Sequence, residues 1–162
     1  MSLSGYGKLM IANCEFEKGV AFIAAACLLN GRAQTEPQEY VVLHLIAQGI
    51  ELLMKGALYG RNYDTYKKMG RTLGHRLDAG FDASRKEFQL NPMKQRCNGQ
   101  LKALSNLYSK HALRYASSQD IFIAPSSIDV SLVEARVKCA IRLGRREFRK
   151  AFLSYKSVVV QV

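Results

Sequence analysis

Cysteine is sparse and scattered in this chain: Cys14, Cys27, Cys97 and Cys139 stand far apart, with no CxxC pair and no Cys/His cluster. That spacing excludes the usual zinc frameworks, so no metal is expected. Each cysteine has apolar neighbours in sequence, as a reduced, buried thiol does, which predicts a cytoplasmic setting. Acidic residues are also few, 13 Asp and Glu against 24 Lys and Arg. Glu15 and Glu17 lie close together but suit a solvated face, which leaves no carboxylate pair for acid–base work. GxxxxGK[ST], GxSxG and HExxH are absent, and Gly70, Gly74 and Gly80 are too scattered for a phosphate nest, so no cofactor is expected.

Long hydrophobic runs are missing too. None approaches the roughly 18 residues of a membrane span, so no membrane contact is expected. The stretch Gly19 to Cys27 after Lys18 has the look of a lipoprotein signal. The acids Glu15 and Glu17 before it and its late start argue instead for a core helix. Repeats, low-complexity tracts and long linkers are lacking, and residues 1–162 are expected to form a single domain.

What is present is an ordinary globular composition, 48% hydrophobic and 23% charged, long enough to bury a core. The net charge of +11 favours polyanions: nucleic acid, nucleotide phosphates, an acidic protein or anionic lipid. Three prolines, Pro37, Pro92 and Pro125, punctuate the chain.

Hydrophobic periodicity and stop signals predict an all-α protein, an antiparallel bundle of about five helices. The first covers about 11–29 and stops at Asn30-Gly31. The second opens with Thr35 as cap, Pro37 in its first turn and Gln38 three residues on, and runs to Tyr59 before Gly60. At about 36 Å it is long enough to be the central rod. Residues 61–74 read as a polar connection with one helical turn at 65–69. A third helix is expected from His75 to before Asn91-Pro92, a fourth over about 94–116, and a fifth from a cap at Asp129 or Ser131 to Phe152. The segment 117–127 is read as irregular, with Ile121 to Ile123 pinned on the core. The β-prone Ser157 to Val160 makes 153–162 an extended tail.

Two polar patterns stand out. On the otherwise apolar second helix, His44, Gln48, Glu51 and Lys55 recur at i, i+4, i+7 and i+11 and share a face. They are either the helix's one solvated edge or a polar groove for a nucleotide or a partner. On the last helix, Val133, Val137, Ala140, Ile141, Phe148, Ala151 and Phe152 define a core face. Opposite it Lys138, Arg142, Arg145 and Arg149 form a cationic ridge of roughly 16 Å, broadened by Arg136, Arg146 and Lys150. The ridge is either a solvated face or a surface for phosphates. Tyr155 and Phe148 are not arranged as a base-stacking platform.

The segment Gln48 to Leu58, with Glu51-Leu52 and Lys55-Gly56, resembles the E-L-x-x-K helix of HEPN (higher eukaryotes and prokaryotes nucleotide-binding) domains. Gly74-His75-Arg76-Leu77 resembles the family's G-H-D-L element, and Leu113-Arg114-Tyr115 its later R-Y; the likeness spans about residues 11–145. It departs from the family at Arg76, where an Asp is usual. Many HEPN proteins resemble metal-independent ribonucleases built on an Arg and a His with four to six residues between them. Here Arg71 and His75 have three residues between them, and Arg114 follows His111, so that motif is absent and no catalytic residues are assigned.

The resemblance implies a HEPN-like, noncatalytic nucleotide- or RNA-binding module. It implies a homodimer working beside a small nucleotidyltransferase-like partner in a toxin–antitoxin or stress system. Ligand contacts are expected from Glu51, Lys55, His75 and Arg114, and nucleic-acid contacts from Lys138, Arg142, Arg145 and Arg149. A ribonuclease toxin with an atypical site and a structural dimerisation or adaptor protein remain the alternatives.

Overall fold

The structure, a computed structural model, describes residues 3–31, 36–111, 113 and 128–159. These residues form five helices and no strand: α1 (Gly5–Asn30), α2 (Glu36–Leu73), α3 (Leu77–Glu87), α4 (Gln95–Ser109) and α5 (Val130–Val159). The expected all-α bundle is what the chain builds. Thr35, and the segment 117–127 with Ile121 to Ile123, lie outside the described residues.

α1 begins six residues before the expected start. Ser4 caps it, its hydroxyl accepting the Gly7 N–H at 3.1 Å. Glycine at positions 5 and 7 weakens the first turn, but the Tyr6 ring packs edge-on against Phe152 and Tyr155 at 6.1 and 6.0 Å. Tertiary contact thus extends the helix where local propensity does not.

α1 and α2 pack antiparallel along their lengths. Ile23 meets Gly49, Gly19 meets Leu53, Phe16 meets Gly56, and Lys8 pairs with Asp64 at 2.6 Å. Glycines allow this approach. A Cβ at Gly56 would lie 2.5 Å from the Phe16 backbone nitrogen, and one at Gly19 would lie 2.7 Å from that of Leu53.

Gly60 does not end α2, which bends two residues later. Asn62 leaves helical geometry (φ −151°, ψ 89°), and its side-chain oxygen accepts the Thr65 N–H at 3.1 Å. It therefore caps a second helical segment, so the expected polar connection at 61–74 is helix as far as Leu73. α2 is also more apolar than the run-length reading implied. Gln38–Gly70 is long and apolar enough to cross a membrane by length and composition, with 56% of its most apolar window buried in this fold.

α3 and α4 form an antiparallel pair across α2. Asp78 accepts the Ser105 hydroxyl at 2.8 Å, and the Tyr66 hydroxyl reaches Glu87 at 2.5 Å. α3 starts two residues after His75 and ends at Glu87, followed by Gln89 at φ 51° and the Asn91-Pro92 stop. α4 ends at Ser109, short of the expected 116.

α5 starts after Asp129, whose backbone N–H is held by Gln100 at 2.8 Å and whose carboxylate pairs with Arg96 at 3.1 Å. It runs antiparallel to α1: the Phe148 ring packs at a tilt against Phe16 at 5.2 Å, and Tyr155 reaches Tyr6. The expected extended tail is instead helical to Val159. Adding residues to an existing helix is easier than starting one, and the β-branched penalty is only tenths of a kcal/mol each.

The core centres on Phe16, Leu43, Ile46, Leu58, Leu77, Leu104 and Tyr108, all under 2% exposed. Cys97 joins it and Cys27 is half-buried, but Cys14 and Cys139 are exposed. Apolar neighbours in sequence misled there, because α1 buries Ala12 and Phe16 on one face and turns Cys14 to the other.

Candidate functional site

Glu51 is 5% exposed, although it sits in a polar stripe that reads equally well as a solvated edge. α4 covers that stripe. Tyr108 follows the buried register of Leu101, Leu104, Ser105 and Leu107, which lays its phenol over α2. Its hydroxyl lies 2.6 Å from both Glu51 Oε2 and Gln48 Oε1. A phenol has one proton, which the charged carboxylate takes in preference to the neutral amide oxygen.

Two further groups close on Glu51. Lys55, one turn along α2, pairs with Oε1, and His75 Nδ1 lies 2.9 Å from Oε2. Burial by itself pushes the Glu51 carboxyl up. The hydrogen bonds from Lys55, Tyr108 and His75, with the Lys55 charge, outweigh burial and hold it below its ordinary value. The carboxylate is therefore an acceptor only, and His75 must donate from Nδ1.

In the neutral imidazole this places the proton on Nδ1 and the lone pair on Nε2, in a side chain that is 39% exposed. Gly74 makes this placement possible: it takes φ 48°, donates to the Gly70 carbonyl at 3.0 Å, and turns the chain from α2 into α3.

All three histidines of the chain gather here. The His75 ring stands edge-on to Tyr108 at 5.2 Å and to His111 at 5.5 Å, and His44 lies 5.8 Å from Tyr108 on the inner side. His111 is exposed, just past the end of α4, at φ 60°, a left-handed conformation uncommon for a side-chain-bearing residue. The pair His75 and His111 therefore presents two imidazoles to solvent above a buried carboxylate. Such an arrangement can move protons.

Of the expected ligand residues, the fold brings Glu51, Lys55 and His75 together, while Arg114 lies outside the described residues. Glu51 holds its neighbours and has no face open to a ligand; it positions His75. Tyr108 and His111 were not anticipated. The core register of α4 signalled Tyr108, whereas nothing local announces that His111 meets His75. The Arg76 guanidinium lies 3.5 Å from the Asp78 carboxylate, two residues on. Among the described residues no group of three or more His, Cys, Asp or Glu has the arrangement of a metal site.

The cationic ridge is exposed along α5 at Lys138, Arg142, Arg145 and Arg149. It stands about 120° around the helix from the core face of Val133, Val137 and Phe148, on a flank and not opposite. Arg145 pairs with Glu17 of α1 at 3.4 Å, whereas Lys138, Arg142 and Arg149 have no acidic partner among the described residues. The ridge and the histidine cluster lie on different elements, with no hydrogen bond or ion pair joining them among the described residues. No family model, curated protein or solved structure matches the chain.

Proposed function

We propose that this chain is a HEPN-like RNA-binding module that holds nucleic acid through its phosphates and does not cleave it. The observation that carries the reading is the α5 flank, where Lys138, Arg142 and Arg149 face solvent with no acid beside them among the described residues. Surface cations are normally interleaved with carboxylates, and a net charge of +11 deepens the attraction for a polyanion. An α-helical stripe of this length tracks phosphates without reading bases. Homodimerisation and a small nucleotidyltransferase-like partner belong to the same proposal and rest on the resemblance of Gln48 to Leu58 and Gly74 to Leu77.

The test is binding of a labelled mixed RNA at low and high salt, with RNA length read afterwards. Salt-sensitive binding of intact RNA is expected. Binding indifferent to salt would sink the proposal, and absence of any binding would favour an adaptor that recognises protein.

One observation supports a second reading, a metal-independent ribonuclease with an atypical site. His75 and His111 stand side by side, and the buried carboxylate orients one of them. In RNA cleavage one imidazole removes the 2′-hydroxyl proton and another protonates the leaving 5′-oxygen. RNA shortened in the presence of a chelator, with activity lost in both His75→Ala and His111→Ala, would replace the binding reading with this one.

A further inference from the structure

α3 and α5 do not pack against each other among the described residues, and the space between them, floored by α2, is a groove. Three cavities lie along it. The first, about 80 Å³, is walled by Met93, Cys97, Val133 and Val137. The second, about 90 Å³, shares Leu53, Met54, Phe81 and Ala140 with the first. The third, about 300 Å³, shares Ala57, Phe88 and Gly144 with the second and opens at Arg61, Glu147 and Lys150. The lining advances along α2 from Ile50 to Arg61 while it advances along α5 from Val133 to Ser154, so the three are sections of one channel. The lining spans about 16 Å along α2 and about 31 Å along α5.

We propose that this groove binds a single-chain amphiphile with an anionic head, its tail in the two narrow sections and its head at Arg61 and Lys150. The narrow sections are almost wholly apolar and far too small for a peptide helix, which needs about 10–12 Å of width. An unbranched hydrocarbon chain fits them. Met54 and Met93 line this part and can adjust to its course.

Among the described lining residues, charge stands at one end only. There Arg61, Arg146 and Lys150 face two carboxylates, Glu87 and Glu147, leaving one positive charge over. Arg61 and Lys150 are 51% and 64% exposed, so their ion pairs are surface pairs that an incoming carboxylate or phosphate can replace at little cost. The wide third section accommodates such a head. Arg142 and Arg149 do not line the groove, which makes this site separable from RNA binding.

Titration of the intact protein with fatty acids from octanoate to palmitate, below their aggregation concentrations, tests the proposal. Kd should tighten about fourfold per added methylene until the narrow sections are full. The alcohol of equal length should bind more weakly. Ala140→Phe, a change at an exposed position where the two narrow sections meet, should remove the dependence on chain length. Lys150→Glu should weaken the fatty acid and leave the alcohol unchanged. Lysophosphatidic acids of matched chain length decide between a carboxylate and a phosphate head. Absence of binding, affinity indifferent to chain length, or unaltered binding by folded Ala140→Phe would each overturn the proposal.

Discussion

His75 Nδ1 lies 2.9 Å from Glu51 Oε2, which ties the corner between α2 and α3 to the middle of the most buried helix. The same carboxylate takes Lys55 and Tyr108, so one 5%-exposed side chain joins α2, α4 and the α2–α3 turn. Removing its charge leaves Lys55, only 21% exposed, with no carboxylate to pair with. Glu51→Gln should therefore destabilise the fold by about 2–3 kcal/mol, read as a lower urea midpoint. The double variant Glu51→Gln/Lys55→Met should recover part of that loss, because the unpaired ammonium is gone. Equal loss in the double variant would show that the Lys55 pair is not what matters.

The same group predicts a pH dependence. Its folded pKa lies below the ordinary 4.5, so on acidification the unfolded chain takes up the proton first. Stability from Glu51 is complete above 4.5 and is lost as pH falls through the lower folded value. The gap in unfolding free energy between wild type and Glu51→Gln should be widest near neutrality and shrink in acid. A gap that stays constant through that range would show that the carboxylate is not specially stabilised.

Much of this site was legible from spacing alone. Glu51 and Lys55 read as an i, i+4 pair, and the helical period placed His44 and Gln48 on their face. Whether that face met water or protein was not legible, since the answer depends on Tyr108, far along the chain on α4. His111 was hidden for the same reason. The fold class followed from periodicity, while boundaries moved where a cap or a distant ring intervened, as at Ser4, Asn62 and Tyr155.

Asn62 offers a local test of the bend in α2. Its side chain satisfies the Thr65 N–H, so Asn62→Ala should cost about 1 kcal/mol and Asn62→Asp should be nearly neutral, by chemical denaturation. A stabilising Asn62→Ala would mean that α2 prefers to run straight.

Gly56→Ala separates helix propensity from packing. In an exposed helix the change would stabilise by up to about 1 kcal/mol. Here the added methyl group meets the Phe16 backbone, which cannot rotate away, so α1 and α2 must move apart. A net loss of about 2 kcal/mol is expected, measured by thermal or urea unfolding. Neutral behaviour would mean that the α1–α2 contact is looser than its glycines require.

The cationic flank of α5 makes the sharpest functional claim, because position can be separated from total charge. Arg142→Ala/Arg149→Ala removes two positive charges without acidic partners from the flank, and Arg146→Ala/Lys150→Ala removes two at its edge that pair with Glu147. If phosphates lie along the flank, only the first pair should flatten log K against log salt, by about 2. It should weaken binding of unrelated RNA sequences to a similar extent, since phosphate contacts carry no base information. If both pairs weaken RNA binding equally, the attraction is a property of the net charge, and α5 is an ordinary solvated helix.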